Sequence, residues 1–372
     1  MSIGIRWNYA DRKAFYAIFL AYRHYSLYIA PANLHQIGLA MEYRSVKGFT
    51  GMGQLAILLV FLGLGFILAA GVQIIIGMQL IPSGIPVDKM GDEIIKTMML
   101  PENVNAARLA QVLGTFCLMF LPALGFLLVC HGMNKFWLGF NKHINPKQLI
   151  LGFLLIFLAN VIANPLADLS KLLVSNFPDL HALGTQMEAE YSKQVTALSN
   201  LNSWGEFLMA IMIMAFFPAL FEEIFFRGAV QNLLERWWQK PLLAILVTSF
   251  IFSLIHMSVF LFLSRALLGF VLGLMYQRSR NLWVNIIAHF LNNTVAVIQL
   301  FWLSRHQTQI EVDKLDPQVP LWGGVIAVAI TYGLFILFER VSSKNRKQIA
   351  FEEQDLMEHK DILHHFPENK NG

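Results

Sequence analysis

Long apolar stretches broken by short polar ones dominate the chain, and within them apolar residues fill whole helical turns instead of a single face. A bilayer span needs about 20 mostly apolar residues. Eight stretches qualify, at 55–78, 109–131, 148–167, 204–226, 241–263, 265–278, 281–303 and 319–339. The sixth is short, yet Leu267 to Tyr276 is almost wholly apolar, and removing it would invert the sidedness of everything downstream. The expected fold class is all-α, a polytopic membrane helix bundle of about eight transmembrane helices. Its expected parts are an N-terminal segment at 1–54, a membrane domain at 55–340 and a charged tail at 341–372 that forms a short helix with a frayed end.

Composition agrees with a lipid bilayer as the main solvent: 56% of the 372 residues are hydrophobic and 14% charged, too little polar surface for soluble domains of that length. Lys and Arg in short loops mark the cytoplasmic side. Arg44 and Lys47, then Lys135, Lys142 and Lys147, then Arg236 and Lys240, then Arg278 and Arg280, then Lys344, Arg346 and Lys347 all fall on one side, which places both termini in the cytoplasm. The opposite loops, 79–108 and 168–203, hold acids such as Asp88, Asp92, Glu93, Glu188 and Glu190. Residues 1–40 contain no span of adequate length and no cleavable signal, and translation starting at Met41 is one expectation for them. A net charge of +4 scattered over loops and chain ends excludes a nucleic-acid partner. Cys117 and Cys130 are too far apart along one helix, about 20 Å, to form a disulfide.

Ionisable side chains at membrane depth cost about 2.5–3.5 kcal/mol each on insertion scales, so those that persist face the protein interior. Here they concentrate in three spans. The fourth contains Pro218-Ala-Leu-Phe-Glu222-Glu223-Ile-Phe-Phe-Arg227, the fifth Phe252-Ser-Leu-Ile-His256, and the seventh His289-Phe-Leu-Asn-Asn293. Glu223 and Arg227 are four apart with the acid first, the favourable order for an ion pair on one helix face. Glu222 lies about 100° around the helix from Glu223. It has no intrahelical cation, which suits a general base. Pro218 cannot donate to the carbonyl of Met214, so a kink is expected just before the acids. His289 and Asn293, again four apart, offer two donors to one point, as a developing oxyanion requires. His256 is placed to position a water with Glu222 or to bind a metal.

Each feature has a plainer reading: a structural Glu–Arg pair, a packing histidine, or an interhelical Asn contact worth about 0.6 kcal/mol. Asn160 and Asn164 precede Pro165 and are assigned to satisfying backbone freed by that proline. Arg265 is expected to snorkel to the interface. His131 and His143 fall in loops and receive no role. Coincidence shifts the balance, because three separate spans carry polar residues at compatible spacings.

Taken together, EExxxR, then FxxxH, then HxxxN on successive helices resembles the CPBP family of CAAX prenyl proteases and bacteriocin-processing enzymes. Glu222, Glu223 and Arg227 fill the first motif, Phe252 and His256 the second, His289 and Asn293 the third; Gly269 to Tyr276 and Asn281-Leu-Trp283 look like the family's lead-in. The resemblance covers roughly 204–300. It implies endoproteolysis within the membrane, with Glu222 and His256 activating water, His289 and Asn293 holding the oxyanion, and Glu223 with Arg227 supporting the site. The implied partner is a membrane-associated peptide or protein, prenylated or not. Glu222, His256 and His289 would also make an ordinary zinc set, but no HExxH is present and a metal-free glutamate mechanism is favoured. The rival readings are a proton-coupled transporter using the same groups as a relay, and a non-catalytic immunity or scaffold protein of the same fold.

Overall fold

A computed structural model describes residues 43–198, 201, 203–306 and 319–364. The reading of a start at Met41 and the residues before it lie outside the described residues, as does the end of the tail. Besides a short 3₁₀ turn at Lys135–Leu138, the described residues form ten helices and no strand. They are α1 (Gly51–Met78), α2 (Val87–Met98), α3 (Pro101–Cys130), α4 (Pro146–Val174), α5 (Pro178–Leu198), α6 (Trp204–Trp238), α7 (Pro241–Ile255), α8 (Phe262–Ser279), α9 (Leu282–His306) and α10 (Leu321–His364).

Several helix starts are written in their caps. The Thr50 hydroxyl accepts from the Gly53 amide at the head of α1. Asn145 with Gln148, and Ser203 with Glu206, form reciprocal capping boxes at the heads of α4 and α6, each satisfying amides that the first helical turn leaves unpaired.

All eight expected stretches are helical, but six helices are long and apolar enough to cross a membrane: α1, α3, α4, α6, α9 and the first part of α10. The other two fall short for physical reasons. The 15 residues of α7 rise about 22 Å, less than the ~30 Å hydrocarbon thickness. The 18 residues of α8 are diluted by Ser264, Arg265, Gln277 and Arg278. The two form a hairpin whose turn begins at His256, so the fifth expected stretch, 241–263, contains a helix end and a reversal. The loops 79–108 and 168–203 are largely helical, as α2 and α5.

Helix α4 packs against α8, α9 and α10, while α1 packs on α3. One core joins α1, α3, α6 and α7 through Leu58, Phe126, Phe225, Phe226 and Phe252; a second joins α4, α8, α9 and α10 through Ile156, Leu272, Val284 and Phe338. The two meet along α8 and α9. The connector before α4 is stitched to the α8–α9 turn by the Asn281 amide, which donates to the Asn141 side chain and the His143 carbonyl, both at 2.9 Å.

Two local expectations change. The strain of Pro218 is taken up by a π-helical turn at Ile211–Phe216, after which the proline sits in the first turn of renewed α-helix, where its missing N–H is tolerated. The tail is no short separate helix: α10 runs unbroken through 44 residues. Its polar half is held to the bundle by Glu339 on Arg278 at 2.8 Å and by Glu352 on His143 at 2.9 Å, so His143 has a docking role. Glu353 adds an ion pair to Arg236.

A close helix crossing yields a test. A Cβ on Gly65 of α1 would meet the Cys117 carbonyl of α3 at 2.5 Å. Gly65→Val should therefore destabilise the detergent-purified protein by about 1–3 kcal/mol, read as a lower melting temperature, whereas Gly63→Ala on an open face should not.

Candidate functional site

The cluster is built on α6 where its backbone widens into a second π-helical stretch, Ile224–Gln231, a departure from regular α-helix that is frequent at functional sites. Glu223 and Arg227 are fully buried, and Arg227 Nη1 donates to Glu223 Oε1 at 2.8 Å. The second guanidinium nitrogen donates to the Gly269 carbonyl of α8 at 3.1 Å. From α9, His289 Nδ1 meets Glu223 Oε1 at 3.0 Å and the Asn285 amide donates to Glu223 Oε2 at 3.2 Å. One carboxylate thus takes three donors from two helices.

Glu222 is in a different setting. Its side chain is 13% exposed, and its Oε2 lies 3.9 Å from His289 Nε2. That separation is too long for a direct hydrogen bond and short enough for one water to bridge. Because the Glu223 carboxylate can only accept, His289 Nδ1 carries a proton and Nε2 is the nitrogen turned towards Glu222. His256 is the C-cap of α7, partly buried, with Nδ1 at 2.6 Å from the Phe252 carbonyl. Glu222 and His289 are both close enough to act on it electrostatically. Asn293 sits one turn beyond His289 on α9, and its amide has no hydrogen-bond partner among the described residues.

The structure therefore brings Glu222, Glu223, Arg227 and His289 into direct proximity, with His256 beside them and Asn293 on the same stripe of α9. Sequence reasoning missed Asn285. Its signal was available, since Asn285, His289 and Asn293 repeat every four residues along one face. Asn160 donates to the Ile156 carbonyl of its own helix at 3.0 Å, not to the Val161 carbonyl that Pro165 frees, and crosses to Asn292 at 2.6 Å, next to Asn293. Asn164 accepts from the Val319 amide instead. Arg265 points inward, with Nη1 2.9 Å from the His256 carbonyl. A cavity of about 380 Å³ lies beyond this turn, between the ends of α4 and α5, lined by Leu173, Leu180, Met187, Ser253 and Met257.

A zinc site on Glu222, His256 and His289 needs three donors converging on one point. Among the described residues no group of three or more His, Cys, Asp or Glu is arranged to hold a metal ion, so these three do not fit a metal as placed.

Breaking the buried pair from one side leaves an uncompensated charge, which costs about 3–5 kcal/mol. Arg227→Met should lower the melting temperature sharply, and the double variant Glu223→Gln/Arg227→Met should recover much of the loss. Equal destabilisation in single and double variants would show that the pair is not the source.

Residues 204–295 match the family described as type II CAAX prenyl endopeptidase Rce1-like. A 111-residue stretch is 28% identical to YdiL of Bacillus subtilis (strain 168), whose name assigns it provisionally to the membrane peptidases; the match covers 28% of this chain and 44% of that protein. The chain thus spans less than half the length of that relative. No solved structure matches significantly. The Rce1-like match contains all three motifs and every residue of the cluster. With six helices among the described residues long and apolar enough to cross a bilayer, the chain is an integral, multi-pass membrane protein whose segment 204–295 matches the Rce1-like type of the CPBP family.

Proposed function

We propose that the chain is an intramembrane endopeptidase that hydrolyses a peptide bond in a membrane-associated or lipidated protein or peptide. The observation that carries this reading is the unequal treatment of two adjacent carboxylates. Glu223 takes three donors, from Arg227, His289 and Asn285, whereas Glu222 takes no hydrogen bond among the described residues and its Oε2 lies 3.9 Å from His289 Nε2. Neighbouring acids held in different environments commonly divide the labour of acid–base catalysis.

In this mechanism Glu222 takes a proton from a water that it holds with His256, and the hydroxide adds to the scissile carbonyl carbon. His289, held by Glu223 through Nδ1–H and carrying a second proton on Nε2, donates that Nε2–H to the resulting oxyanion together with the Asn293 amide. Collapse of the tetrahedral intermediate breaks the C–N bond, and the proton held by Glu222 passes to the departing amine. Water and one peptide bond become a carboxylic acid and an amine. Arg227 keeps Glu223 ionised so that it continues to orient His289. No step is routed through a metal, because the candidate ligands are not assembled to hold one. We place both termini on the cytoplasmic side, where the basic loops gather.

The test is cleavage of a panel of lipidated and unlipidated peptides by the purified protein. Glu222→Gln should lower kcat by about 10²–10⁴-fold with an unchanged melting temperature, and Asn293→Ala by about 10²–10³-fold. Full activity in Glu222→Gln removes the proposed base. A strong chelator should leave wild-type turnover intact; loss of activity restored by Zn²⁺ would replace the glutamate mechanism with a metal one.

A further inference from the structure

We propose that Arg265 is a positioning residue for His256, acting through the backbone of the α7–α8 turn. The inference rests on the endopeptidase reading for its kinetic consequence, though its geometry stands apart from it.

Helix α7 stops at Ile255, and a helix end leaves its last carbonyls without intrahelical partners. His256 caps that end, and Met257 follows with φ of 48°, in the left-handed region that residues with a side chain rarely adopt. Such a turn persists only where its surroundings over-determine it. Three ties do so here. The Ser253 hydroxyl donates to the Phe262 carbonyl at 2.6 Å. Phe260, 5% exposed, is wedged against Gly184 and His181 of α5. Arg265, from the first turn of α8, donates Nη1 to the His256 carbonyl at 2.9 Å. The third holds the His256 carbonyl, while the His256 amide donates to the Ser253 carbonyl at 3.3 Å.

The imidazole depends on that backbone. Its Nδ1 is 2.6 Å from the Phe252 carbonyl, one turn back, and since a carbonyl only accepts, Nδ1 carries the proton and Nε2 is the nitrogen left for the site. Moving the 256 carbonyl rotates the residue about that contact and so changes where Nε2 sits relative to Glu222, which is near enough to act on the imidazole. The guanidinium is in turn oriented by Tyr191 of α5, whose ring centre lies 5.3 Å away. A planar cation that donates and stacks at once is a role Arg fills and Lys does not.

The experiment compares Arg265→Met, Arg265→Lys, and Arg265→Met combined with Met257→Gly. Misplacing a reacting group by about 1 Å can cost 10²-fold, so Arg265→Met should lose about 10–100-fold in kcat with KM changed less than about threefold. Arg265→Lys, which keeps the single hydrogen bond, should lose less. Glycine adopts the left-handed conformation without strain, so the double variant should regain most of the lost kcat; a general folding defect would not be rescued this way. A second readout is independent of cleavage. Carbethoxylation of His256, followed by mass spectrometry, should accelerate in Arg265→Met and return towards the wild-type rate in the double variant. Unchanged kcat together with unchanged His256 reactivity in Arg265→Met overturns the proposal, as does a loss that Met257→Gly fails to rescue. Should Arg265→Met not fold, Arg265→Lys decides on the same two readouts. If the wild type cleaves no peptide, the endopeptidase reading fails while the carbethoxylation comparison still reports whether Arg265 holds His256.

Discussion

The fully buried pair between Glu223 and Arg227 is the constraint around which the rest of the site is arranged. In an apolar bundle neither charge has water to solvate it, and pairing alone does not offset desolvation unless the remaining donors and acceptors are also met. The structure meets most of them with groups from other helices: Gly269 of α8 accepts from Arg227, and Asn285 and His289 of α9 donate to Glu223, while Arg227 Nε is left without a partner. Satisfying one ion pair therefore draws three helices to one point. It also decides the chemistry of the neighbouring acid, because a carboxylate with three donors is committed and the residue beside it is not.

The same device recurs one turn along. Gln231, four residues after Arg227, donates to the carbonyl of Gly273, four residues after Gly269, at 2.9 Å, and also to Glu235, which pairs with Arg280. Side chains of α6 thus climb the backbone of α8 in register. Glycine leaves room on this face: a Cβ at 273 would lie 3.1 Å from the Gln231 side chain of α6 and 2.8 Å from Ile245 of α7, and one at 269 would lie 3.2 Å from Phe252 of α7. Small residues at crossings of membrane helices serve the same end, since close backbones expose carbonyls whose second lone pair can be used. Towards the Lys- and Arg-rich side the ladder ends among Asn232, Tyr276 and Arg280, close to the surface on which α10 is docked.

Convergence of the polar groups also bears on the rival readings. A relay across the bilayer would need ionisable groups strung along the depth of the protein, whereas Glu222, Glu223, Arg227 and His289 share one locality and Glu223 takes three donors there. A local cluster with one uncommitted carboxylate matches hydrolysis better than conduction.

Much of this was readable from residue order alone. Runs of apolar residues placed the helices because helix formation and lipid solvation respond to local composition, and the Glu223–Arg227 pair forms because four residues make about one turn of any helix, which also sets His289 and Asn293 one turn apart on α9. Glu222 and Glu223 facing different ways follows from the same geometry. What order could not supply was the rotation and depth of each helix against its neighbours, which packing sets. Asn285 meets Glu223, Arg265 turns inward to the His256 carbonyl, Asn160 crosses to Asn292, and α10 continues past the membrane-length stretch to lie against His143, only once those rotations exist. Periodicity says which side chains share a face of one helix; which face meets which is a property of the assembled bundle, because every contact between segments distant in sequence is settled jointly by the shapes of all the helices that pack there.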